Sequence, residues 1–223
     1  VGQHDCTGNS VVVASDAGKA YEGTQMLRLG SSNGYSGNIY FNGLSGEPEV
    51  GGFDISVMLN HGDRQNGAQS GDTVFEVMDD SGYRAFRVTL RSEDQKVLVQ
   101  DGVDTGFSFL ENTWYEVRIK ISQNGSLPQK GDVYLDGHRI AAGLASEYYS
   151  GIGVGSLHIG SGANCGGWPS NDHYGYVDNL RLDVIPVWGY DRVHTDVPDD
   201  AWLVEGEDVV LTNFIYGPQS LKP

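Results

Sequence analysis

The sequence predicts an all-β protein, an antiparallel two-sheet sandwich or jelly roll. Three observations predict it. Ten short segments read as strands at fairly even spacing, by apolar alternation or by β-branched content. Asp-Gly pairs and Gly-rich stretches separate them, and glycine reaches 32 of 223 residues without a collagen triplet period. Helical character is confined to one short stretch, 141–149. No fixed-period repeat supports a propeller or solenoid.

Residues 10–15 (SVVVAS) open the series of strands, and 25–30 (QMLRLG) follow. Segment 52–60 places Phe53, Ile55, Val57 and Leu59 on one face and Asp54, Ser56, Met58 and Asn60 on the other. Segments 73–78 and 83–91 flank Asp79-Asp80-Ser81-Gly82, a hairpin signal. That hairpin is expected to set Phe75 against Phe86 in the core, with Glu76 and Arg87 on the opposite face. Segment 95–100 ends at Asp101-Gly102. Segment 113–121 sends Tyr115, Val117, Ile119 and Ile121 inward. Segment 131–136 ends at the turn Asp136-Gly137, and 156–160 and 175–184 complete the set.

Thirty acidic against fourteen basic side chains give a net charge of −16. The phosphate backbone would be repelled, so nucleic acid is not an expected partner. No run of 18 apolar residues offers a membrane span. Cys6 and Cys165 match no zinc spacing. Polar, glycine-containing sequence flanks both, and they read as one disulfide, against the alternative of two unrelated thiols. Val1 is not a start residue, so the chain reads as mature or trimmed. It is expected to be secreted, into an extracellular or periplasmic space.

Four pieces occur in a characteristic order: Asn112-Thr113-Trp114-Tyr115-Glu116-Val117, then Val133-Tyr134-Leu135-Asp136-Gly137, then Leu157-His158-Ile159-Gly160, then Gly175-Tyr176-Val177-Asp178-Asn179-Leu180-Arg181-Leu182. Together with 25–29 after Gly23 they resemble the laminin-G-like and concanavalin A-like jelly rolls, over roughly residues 8–185. The resemblance implies a two-sheet jelly roll over 1–185. It leaves 186–223 as an irregular extension packed on the sandwich, a partner subunit or an adjoining domain. The family includes carbohydrate-binding modules, adhesion domains, glycoside hydrolases and polysaccharide lyases, so the fold leaves the activity open. Related jelly rolls often hold a structural calcium near the closing strand. Here Asp178, placed inward by sharing parity with Leu180, Leu182 and Val184, would be its ligand, with Asp16 and Glu22. The alternative for Asp178 is hydrogen bonding to the backbone amides of a neighbouring loop.

Catalytic signals are few. The E-x-D-x-x-E strand of the retaining glucanases of this fold is missing. Gly30-Ser31-Ser32-Asn33-Gly34 matches a nucleophile elbow as a string, but no helical pattern follows it. Histidines 4, 61, 138, 158, 173 and 194 lack H-E-x-x-H spacing. For a polysaccharide lyase, Arg87 and Arg91 with Arg118 and Lys120 would form a basic stripe if their strands adjoin. Tyr83 or His173 would then act near the substrate carboxylate. The alternative is an ordinary solvated face with Glu76 and Glu116 as cross-strand partners. Arg87 and Arg91 also lack the central Glu of the R-x-E-x-R alginate-lyase strand. The stretch 161–176 is Gly-rich and carries Trp168, Asn171, His173 and Tyr174. It reads as a glycan-contacting loop or as a self-packed plug. The leading expectation is a non-catalytic glycan-binding or adhesion module. A lyase acting on an anionic, uronate-containing glycan is the alternative, and a structural or assembly module is the second.

Overall fold

The structure, a computed structural model, describes residues 2–5, 11–15, 18–29, 37–42, 50–64, 72–122, 129–147, 153–161 and 173–186. These residues form strands β1 (Gly2–Asp5), β2 (Val11–Ser15), β3 (Gln25–Leu29), β4 (Gly37–Asn42), β5 (Val50–Arg64), β6 (Thr73–Met78) and β7 (Arg84–Arg91). They continue with β8 (Lys96–Val99), β9 (Val103–Ser108), β10 (Trp114–Ser122), β11 (Lys130–Leu135), β12 (His138–Ala145), β13 (Ser156–Ser161) and β14 (His173–Pro186). No helix occurs among the described residues. Two seven-stranded sheets run in the orders β1-β4-β13-β6-β7-β8-β9 and β12-β11-β10-β5-β14-β3-β2. The fold is the antiparallel jelly-roll sandwich of the concanavalin A-like type. Residues 187–223 lie outside the described residues, and with them the C-terminal extension.

Alternation fixes which face of each strand is buried. Along β5, Phe53, Ile55, Val57 and Leu59 are buried, and β10 meets them in register at Ile121, Ile119, Val117 and Tyr115. From the first sheet, Phe75, Val77, Phe86, Val88, Leu157 and Ile159 close the core against them. Each fully buried aliphatic side chain of this kind stabilises the fold by about 1.5–3 kcal/mol. The β11–β12 turn takes positive φ at both Asp136 (46°) and Gly137 (75°), the two-residue type I′ geometry that matches strand twist. At the β6–β7 hairpin, Asp79 Oδ1 accepts the amides of Ser81 (3.0 Å) and Tyr83 (2.7 Å), and Gly82 takes φ 81°.

Three expectations are corrected. Residues 141–149 do not begin a helix: His138–Ala145 is an edge strand laddered to β11. Its alanines are partly exposed, so backbone pairing outweighs their helix propensity. Phe75 faces Val88, and Phe86 faces Val77, so the two rings share the core without being direct partners. A bulge follows at Val77/Met78. Within β14, Asn179 has φ 48°, and this left-handed residue breaks the parity. Val177 is core before it and Leu180 and Leu182 pack on the core after it, so Asp178 does not share their parity, and Val184 is exposed.

Candidate functional site

The outward face of the first sheet gathers the densest charge network among the described residues. Register sets Tyr40 of β4 opposite His158 of β13, His158 opposite Glu76 of β6, and Glu76 opposite Arg87 of β7. Local sequence explains the orientation: His158 lies between inward Leu157 and Ile159, and Glu76 between inward Phe75 and Val77. Glu76 Oε2 is 3.6 Å from His158 Nδ1. Its Oε1 is 3.6 Å from Arg87 Nε and 3.4 Å from Arg84 Nη1.

Arg84 extends the network. Its Nε and Nη2 donate to the two carboxylate oxygens of Glu147, the latter at 2.7 Å, and Nη2 also meets Asp101 Oδ1 at 2.5 Å. Gln100 accepts the Arg87 backbone N–H at 3.1 Å and donates to Ala145 O at 2.7 Å. Side-chain exposure is 12% for Glu76, 18% for Arg84, 19% for Arg87 and 27% for His158. An ordinary solvated face would leave such charges far more open.

The environment sets protonation. Burial pushes the Glu76 carboxyl up, but the His158 contact and the Arg87 and Arg84 charges outweigh it, so Glu76 titrates below the usual carboxylate range. Glu147 is raised, by burial first and by its neighbour Asp101 in addition, against the pull of Arg84. The Glu147 hydrogen bond to Arg84 holds that guanidinium firmly protonated. The site is thus a row of fixed, partly desolvated donors and acceptors whose cations are already answered by carboxylates.

The anticipated residues disperse. Arg87 stands in this row. Arg118 lies on β10 in the other sheet, where its guanidinium pairs with Asp54 in two hydrogen bonds. Lys120 is 3.8 Å from the same Asp54, and Arg91 pairs with Asp94. The basic stripe of Arg87, Arg91, Arg118 and Lys120 therefore does not form, because β7 and β10 belong to different sheets. Tyr83 precedes β7 in the hairpin turn and is 52% exposed. His173 and Tyr174 begin β14 in the second sheet. Trp168, Asn171, Cys6, Cys165, Asp16 and the Gly30–Gly34 string lie outside the described residues.

Asp178 Oδ1 accepts the Asn179 amide at 2.8 Å, and Oδ2 accepts the Glu22 amide at 3.2 Å. No group of three His, Cys, Asp or Glu gathers to hold a metal among the described residues.

His158, Glu76, Arg84, Gln100 and Glu147 were not anticipated as a site. The alternation around His158 and Glu76 signals that both face outward. No local signal says that their strands adjoin.

A concanavalin A-like jelly roll with a charged, half-buried row across one sheet is thus the class that fold and site define. No protein-family model and no curated protein matches the sequence. Among solved structures, the chain is similar to the marine PL-14 alginate lyase from Aplysia kurodai, with a TM-score of 0.51 and 14% identity over 79% of this chain and 87% of that one. It is also similar to a carbohydrate esterase from the Shiga toxin-encoding bacteriophage phi24B, with a TM-score of 0.50 and 14% identity over 82% and 90%. At such identity the likeness is one of fold.

Proposed function

We propose that the protein is a secreted, non-catalytic glycan-binding module whose ligand lies along the Tyr40–His158–Glu76–Arg87 row. The observation that carries this reading is the row itself, four register-aligned positions on four neighbouring strands. Their His, Glu and Arg side chains are half-buried yet rich in donors and acceptors. Planar guanidinium and carboxylate groups held in place by one another suit paired sugar hydroxyls. Trp168, Asn171, His173 and Tyr174, expected from the sequence as glycan contacts, belong to the same proposal. A calcium ion at Asp178 and Glu22, completed by Asp16, belongs to the same proposal.

The lyase alternative draws on His158 beside Glu76, a proton-accepting pair in the same row. Against it, Arg84 and Arg87 already face Glu76, Glu147 and Asp101, which leaves little charge to neutralise a uronate. Native electrophoresis through gels containing alginate, pectate, xylan, β-glucan or mannan tests binding. Retardation by at least one polymer, relieved in Arg87→Ala and His158→Ala, supports the module. Growth of ultraviolet absorbance from an unsaturated product on uronate polymers, lost in His158→Ala, would replace it with the lyase. Migration unaffected by every polymer and no product would leave the assembly reading.

A further inference from the structure

On the other side of the sandwich, the outward face of β5 and β10 carries a cavity of about 460 Å³. Two aromatic rings wall it. Tyr21 and Trp114 stand with centroids 6.0 Å apart and planes at 60°. The Trp114 indole N–H donates to Lys19 O at 2.8 Å, and the Glu22 amide donates to Asp178, so the segment bearing Tyr21 is tied down on both sides. Tyr21 nevertheless keeps 49% of its surface exposed. Glu116, Asp136, Asn179 and Arg181 also line the cavity. Asp136 Oδ1 accepts the Glu116 amide at 2.8 Å, and Arg181 Nε donates to Asn179 Oδ1 at 3.4 Å, so backbone and side chains orient one another.

Two aromatic faces set at an angle, with two carboxylates, an amide and a guanidinium in the same lining, are complementary to a pyranose ring. Its C–H faces lie on the rings and its hydroxyls meet the polar groups. The volume falls in the range of small-ligand sites, about 300–1,000 Å³. Two carboxylates against one guanidinium, on a chain of net charge −16, repel an anionic sugar. We propose that this cavity binds a neutral pyranose unit of a polysaccharide, as a second glycan site back to back with the charged row. The two sites are independent, and neither reading requires the other.

The test is calorimetric titration of the intact chain with cellohexaose, laminarihexaose and mannohexaose, using wild type, Tyr21→Ala, Arg181→Ala and Arg87→Ala. The expected result is binding of at least one of these neutral hexaoses. Its affinity should fall about tenfold in Tyr21→Ala, as for other stacked anchors, and fall in Arg181→Ala, but hold in Arg87→Ala. The exposure of Tyr21 makes its removal compatible with folding, and the melting temperature of each variant checks this. The proposal is overturned if none of the three hexaoses binds wild type, or if affinity survives in both Tyr21→Ala and Arg181→Ala. Loss of hexaose binding in Arg87→Ala alone also overturns it, while sustaining the reading of the charged row.

Discussion

Glu76 and Arg87 face each other directly across the β6–β7 ladder, with the guanidinium Nε 3.6 Å from the carboxylate, and both are largely shielded from water. Removing the carboxylate leaves Arg87 without the charge that faces it, while Arg84 keeps Glu147 and Asp101. Glu76→Gln is expected to cost about 1–3 kcal/mol at neutral pH, the usual penalty for orphaning a partly buried charged partner. The folded-state value of Glu76 lies below its ordinary 4.5. The stability it contributes is therefore fully present above 4.5 and is lost as the pH falls through the depressed value. Urea midpoints measured across this acid range should fall less steeply for Glu76→Gln than for wild type. Parallel profiles would show that the carboxylate is not coupled to folding.

Gly155 lets β13 approach the 79–82 turn, donating its amide to Met78 O at 2.9 Å. A Cβ there would lie 2.3 Å from Asp79 O and 3.0 Å from Asp80 Cα. Both are backbone atoms, so no rotamer change relieves the clash. Gly155→Ala is expected to destabilise the protein by about 1–3 kcal/mol, the range of overpacked sites. Thermal unfolding of the variant measures this, and an unchanged melting temperature would contradict the close approach.

Asp178 gives the calcium proposal a direct test. If the ion is bound, chelator should lower the melting temperature of wild type by ligand linkage. Asp178→Ala should be insensitive to chelator. A wild-type melt unmoved by chelator would leave Asp178 as an acceptor for the Glu22 and Asn179 amides alone. Asp178→Asn, which keeps one accepting oxygen, should then retain more stability than Asp178→Ala.

Cys6 and Cys165 are proposed to be oxidised to one disulfide. Intact-mass measurement under non-reducing conditions should show the loss of two hydrogens relative to the reduced chain. Two alkylatable thiols in the folded protein would refute the bridge.

The sequence by itself determined the class and the faces. Alternation in 52–60 and 113–121 put Phe53, Ile55, Val57, Leu59, Val117, Ile119 and Ile121 inside, and all of them are buried. The Asp136-Gly137 pair announced its turn, because the side-chain period of a strand and the φ preference of a turn residue are local properties. What the tertiary structure alone decided is which outward side chains of sequence-distant strands meet. The 79–82 hairpin already put Glu76 and Arg87 on one face, but His158 joins them only because β13 lies beside β6, whereas Arg118, equally outward, pairs with Asp54 in the other sheet. The Asn179 conformation likewise overrode a parity argument that assumed an unbroken strand. Strand order comes from hydrogen-bond ladders closed across long stretches of chain, and their cost and reward are set by the packed core as a whole. A periodic pattern gives each strand its inside and outside but carries no record of its neighbours.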